Sequence, residues 1–101
     1  MTEERIKRKD LWQAIGKIRQ NDWGKAAQKL GLDFSNSWGR GSHGVIRDPK
    51  FPDPSDTRGF ITTIQKNLGK QHNQRIFKQL LDYGMKLGIN EDDIWKALGM
   101  L

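Results

Sequence analysis

Along residues 5–20, Leu11, Trp12, Ile15 and Ile18 recur at helical spacing, and Arg5, Lys7, Arg8, Lys9, Lys17 and Arg19 fall mostly between them. That pattern predicts an amphipathic helix with a basic exterior. Asn21-Asp22 offers a stop and a fresh N-cap, after which Trp23, Ala26, Ala27 and Leu30 form a second stripe that ends at Gly31, a C-cap residue. From Leu32 the period changes. Phe34, Asn36 and Trp38 alternate with Ser35 and Ser37, as in a short strand. Gly39-Arg40-Gly41 is a turn signal, and Ser42 to Arg47 reads as the returning strand. All three prolines lie between Pro49 and Pro54, in a segment that cannot be a central strand. Phe60 to Gln65 is aromatic and β-branched, which predicts a third strand. A basic, polar link from Lys66 to His72 leads to a helix capped by Asn73, with a stripe of Ile76, Phe77, Leu80, Leu81, Tyr83 and Leu87 closed by Gly88. Asn90 then opens a last short helix with acids in its first turn and Ile94, Trp95 and Leu98 on its apolar face. The order of helices, three short strands and helices predicts an α+β domain with a three-stranded antiparallel sheet.

Length and charge narrow this picture. With 101 residues the chain is expected to form a single domain, 1–101. The net charge of +6 points to an anionic partner: nucleic acid, an acidic protein or a membrane surface. Cysteine is absent, which excludes disulfides and thiolate metal sites. No apolar run approaches membrane-spanning length, and the charged start Met1-Thr2-Glu3-Glu4-Arg5 lacks an apolar stretch behind it. A cytoplasmic location with no membrane partner is the expectation. Two histidines and dispersed carboxylates show no metal-ligand spacing, and no P-loop, nucleophile elbow or dinucleotide fingerprint occurs. Any catalysis is expected to run on side chains, without metal or cofactor.

The stretch Trp38-Gly39-Arg40-Gly41-Ser42-His43-Gly44-Val45-Ile46-Arg47 concentrates the candidate chemistry. A histidine just after a glycine turn is accessible, and its ordinary pKa of ~6.5 suits proton transfer near neutrality. Cleaving RNA without a metal requires deprotonation of the 2′-hydroxyl, protonation of the leaving 5′-oxygen, and cations or amides around the phosphorane. His43 can supply a proton step, while Arg40, Gly41, Ser42 and Arg47 can hold phosphate through guanidinium, hydroxyl and backbone amides. The same residues also fit a tight hairpin in which His43 merely ends the sheet. His72, in a basic link with Lys66 and Lys70, is either a phosphate contact or an exposed loop residue. Trp12, Trp23 and Trp95 fall on apolar stripes and belong to the core, whereas Trp38 is either core or a stacking platform for a base.

Several of these residues together resemble a known family. Ala26-Ala27-Gln28-Lys29-Leu30-Gly31, a strand, and Gly41-Ser42-His43 leading into the next strand are similar to the HicA-type mRNA interferase toxins. Their hallmark is Gly-Ser-His at the start of the second strand. A third strand, a basic link ending in His72, and Leu87-Gly88-Ile89 before the acidic start of the final helix extend the similarity over residues 22–98. The resemblance implies a double-stranded-RNA-binding-domain-like fold and a metal-independent endoribonuclease with His43 as the essential residue. It further implies inhibition by an acidic HicB-type antitoxin protein, and the expected substrate contacts are Arg40, Gly41, Ser42, Arg47, Lys70 and His72. The family is commonly shorter, so residues 1–21 stand out as an added N-terminal helical extension, and Gly44 occupies a position where a larger residue is frequent. Two further readings stand beside the toxin: a non-catalytic module of the same fold that binds RNA or protein, and an adaptor whose first helix pairs with a partner helix.

Overall fold

The computed structural model describes residues 8–35 and 43–101. Within them the chain forms α1 (Arg8–Ala14), a 3-10 turn (Ile15–Lys17), α2 (Gln20–Lys29), β1 (Asp33–Ser35), β2 (Gly44–Arg47), a second 3-10 turn (Thr57–Gly59), β3 (Phe60–Ile64), α3 (Lys70–Met85) and α4 (Glu91–Ala97). The strands form one antiparallel sheet in the order β1-β2-β3, an α+β architecture. The predicted turn Gly39-Arg40-Gly41, the end of the first strand and Trp38 lie outside the described residues.

Register sorts the strand residues onto two faces. Phe34, Ile46 and Thr62 lie in line across the sheet, as do Ser35, Val45 and Thr63. The first row faces the helices. Thr62 is fully buried and its Oγ1 donates to Gln79 Oε1 on α3 at 2.5 Å. Phe34 lies against both α2 and β2: a Cβ on Gly24 would come within 2.8 Å of its ring, and one on Gly44 within 2.5 Å. The smallness of residue 44 therefore has a packing cause. A larger side chain directly after His43 would displace Phe34.

The core joins helices at both ends of the chain. Leu11, Ile15, Ile18 and Trp23 share one cluster with Ile46, Ile64, Ile76, Phe77, Leu80, Ile94 and Trp95. The rings of Phe77 and Trp95 are 4.3 Å apart, and Trp12 meets Phe77 edge-on at 5.2 Å. The apolar face of α1 is thus spent inside the fold, and Leu11, Trp12, Ile15 and Ile18 share its core.

The helix boundaries differ from the sequence reading in an instructive way. Asn73 does not cap α3; the helix begins a turn earlier, at Lys70, with Gly69 as N-cap and the Gly69 N–H donating to His72 Nδ1 at 3.1 Å. Asn73 is instead fully buried. Its Nδ2 donates to the carbonyls of Ile15 and Ile18 at 2.7 and 2.9 Å, and its Oδ1 accepts from Trp23 Nε1 at 2.9 Å. One amide thereby satisfies the Ile18 carbonyl and adds a second donor to the Ile15 carbonyl, which also accepts from the Ile18 N–H, where the 3-10 turn gives way to an extended residue. Likewise Arg19 is the N-cap of α2, and Asp22 accepts from the Arg19 N–H at 2.9 Å. Leu87 lies past the end of α3 and is 43% exposed, so it is not part of the core stripe. Gly31 and Gly88 do end their helices in the left-handed region, with φ of 79° and 81°.

Candidate functional site

The two ends of β2 have opposite characters. At the C-terminal end, Arg47 is only 4% exposed. Its Nη2 donates to the carbonyls of Phe51, Asp53 and Asp56 at 3.3, 2.8 and 2.6 Å, so this guanidinium organises the proline-rich loop. A Cβ on Gly59 would come within 2.8 Å of the same Nη2, so the loop closes over it without room for a side chain. Asp48, also buried, accepts from the Tyr83 hydroxyl at 2.8 Å and from the Lys50 N–H at 2.9 Å. Burial, followed by that hydrogen bond, pushes the Tyr83 phenol up to about 12. Arg58 holds Asp56 in an ion pair of 2.7 Å and lowers its carboxyl to about 2.

The N-terminal end of β2 is open. Gly44 faces Ile64 across the ladder, so the next positions outward, His43 and Gln65, lie side by side where the β2–β3 pair ends. Both line a cleft of about 200 Å³ together with Phe60 and Thr63 of β3 and Arg75 and Gln79 of α3. Arg75 and Gln79 are one helical turn apart, and Thr63 and Gln65 are alternate strand positions. His43 and Arg75 are exposed, and neither makes a hydrogen bond or ion pair with a described residue. Gln65 Oε1 is buried and accepts no hydrogen bond from a described residue. The cleft thus joins an accessible imidazole, a guanidinium without a described partner, and amide and hydroxyl groups. Together these can take or give a proton next to a bound anion.

Of the residues read as candidate contacts, only His43 lies in this cleft among the described residues. Arg40, Gly41 and Ser42 lie outside the described residues. Arg47 is four residues along the strand, about 13 Å at the usual rise of ~3.3 Å per residue, and its guanidinium is buried under the loop. Lys70 and His72 are exposed on the first turn of α3, where His72 Nδ1 accepts the capping hydrogen bond. They are not brought to His43. Nothing local in the sequence groups Arg75, Gln79, Thr63 and Gln65. Each has a periodic polar position as its only signal, and which helix face meets which strand edge is settled by packing.

Among the described residues no three His, Asp or Glu side chains cluster as metal ligands, and no helix is long and apolar enough to cross a membrane. Compared with known proteins, the chain matches no family model, no curated protein and no solved structure.

Proposed function

We propose that this protein is an endoribonuclease of the HicA type, built on a double-stranded-RNA-binding-domain-like fold, with His43 in the proton-transfer role. The observation that carries the reading is the cleft at the open end of β2, where His43 lies with Arg75, Thr63, Gln65 and Gln79. In this scheme the RNA 2′-oxygen attacks the adjacent phosphorus after losing its proton to the neutral imidazole. The P–O5′ bond breaks, and the leaving 5′-oxygen takes a proton from the imidazolium or from water. Arg75 holds the non-bridging phosphate oxygens as charge builds on the phosphorane. The Gln65 and Gln79 amides offer donors and acceptors to a 2′-hydroxyl or base edge. Arg40, Gly41 and Ser42, which immediately precede His43, supply the remaining phosphate contacts. No cofactor enters the scheme, and an acidic HicB-type partner would block the same cleft.

The test compares cleavage of a long RNA in EDTA by wild type, His43→Ala and Arg75→Ala. His43→Ala is expected to lower the rate by about 10²–10⁴, the usual worth of a positioned acid or base. Arg75→Ala is expected to lower it by about 10²–10³, as when one charge-stabilising donor is removed. Equal cleavage by all three chains would overturn the catalytic role. RNA binding without product in any of them would favour the non-catalytic module.

A further inference from the structure

A second depression lies beside the His43 cleft. It is a groove of about 430 Å³ lined by Gly16, Lys17, Ile18 and Arg19 on one wall and by Lys66, Asn67 and Leu68 on the other. The first wall is the 3-10 turn between α1 and α2; the second is the link between β3 and α3. Ile18 and Leu68 give the groove an apolar floor, while Lys17, Arg19, Lys66 and Asn67 are exposed. None of the described lining residues is acidic. None of its three cations forms an ion pair or a side-chain hydrogen bond with a described residue; the nearby Asp22 carboxylate is engaged with the Arg19 backbone N–H.

The two depressions are joined through the chain. Gln65 lines the His43 cleft and the very next residue, Lys66, lines the groove. β3 ends at Ile64 and the chain bends at Lys66 and Asn67, so the end of β3 is the ridge between them. Gln20 Nε2 donates to the Ile64 carbonyl at 3.0 Å, which ties the start of α2 to this ridge and sets the wall carrying Lys17 and Arg19 against it. Three cations without an ion pair among the described residues, on two walls of one groove, form a track for a polyanion rather than a pocket for one small ion, because they are spaced along a groove open to solvent.

We propose that this groove binds the sugar–phosphate backbone of single-stranded RNA, carrying the strand past the ridge into the His43 cleft. The ribonuclease reading supplies the identity of the polyanion; the groove itself follows from Lys17, Arg19 and Lys66. Part of this site comes from residues 17–19, so the N-terminal segment has a binding role in addition to its share of the core.

The test measures fluorescence anisotropy of a labelled single-stranded RNA oligonucleotide across a salt series, with full-length His43→Ala as the parent so that the probe is not consumed. Lys17→Ala and Lys66→Ala should each weaken binding about fivefold at ~0.1 M salt and lower the slope of log K against log salt by about 0.7. The double variant should lose about 25-fold. Lys86→Ala is the control. It removes the same charge at the far end of α3, where Lys86 lies over the Tyr83 ring at 5.7 Å. Its loss should be under twofold. Thermal melts should be unchanged for all of these exposed substitutions. Groove variants that bind like Lys86→Ala would overturn the proposal, as would absence of RNA binding by the parent at low salt. Binding of polyglutamate in place of RNA, dependent on Lys17 and Lys66, would overturn it in favour of an acidic protein partner. If wild type forms no cleavage product while the groove variants still lose RNA affinity and salt slope, the ribonuclease reading fails and the groove stands.

Discussion

The two ends of β2 carry the same kinds of groups, an arginine near other polar side chains, with opposite outcomes. At one end the Arg47 guanidinium donates to three carbonyls under a closed loop, and the neighbouring Asp48 and Tyr83 are hydrogen-bonded to each other. At the other, Arg75 and His43 face a cleft with no described partner, and Gln65 holds a buried carbonyl oxygen that accepts from no described residue. A polar group that is buried and saturated has its hydrogen-bonding capacity used up in the fold. Groups left open beside one another at small cost in stability are free to act on a ligand. The difference separates an arginine whose hydrogen bonds are spent in the fold from one that faces an open cleft, without reference to either residue's position in the sequence.

The strongest way to break this contrast is to remove Arg47. Arg47→Ala would strand the carbonyls of Phe51, Asp53 and Asp56 under the loop and is expected to cost about 3 kcal/mol in denaturant unfolding. A loss below about 0.5 kcal/mol would mean that water replaces the guanidinium freely and that this end is as open as the other.

Tyr83→Phe removes the hydroxyl from Asp48 and should cost about 1 kcal/mol. The same hydrogen bond predicts a pH window. The Tyr83 phenol titrates at about 12 in the folded chain. In the unfolded chain it titrates at ~10, so folding retains a proton that the unfolded state has lost between those values. The stabilisation is complete below ~10 and declines as pH rises towards about 12. Wild type should therefore lose stability faster than Tyr83→Phe over that range, measured by unfolding at each pH. Parallel curves would remove the assigned cause.

The smallest effects are expected at the open end. His43→Ala and Arg75→Ala should each change stability by less than about 0.5 kcal/mol, since both side chains are exposed and unpartnered among the described residues. A large destabilisation by either would turn that residue from a functional group into a structural one.

Local rules identified most of the elements. The stripe through Trp23, Ala26 and Ala27, the glycine ends at Gly31 and Gly88, the three-strand order and the Asn90 cap of α4 all follow from periodicity and capping chemistry. Asn73 shows where local rules stop. An asparagine ahead of an apolar stripe has the local form of an N-cap, yet the structure buries it a turn inside α3. The carbonyls of Ile15 and Ile18 and the Trp23 indole, 50 to 58 positions away in sequence, meet there and take a donor and an acceptor from it.

The same boundary runs through the sites. Residue order and composition alone make the chain basic, leave it without thiol chemistry, and put His43 directly before a strand. Those are properties of composition and of short-range backbone preference. It takes the packed fold to turn Arg47 into a loop while bringing Arg75 to the cleft of the histidine, and to give Lys17 and Arg19 a groove shared with Lys66. An arginine's chemistry is the same at every position; what it can do depends on which acceptors the packed core leaves within its reach.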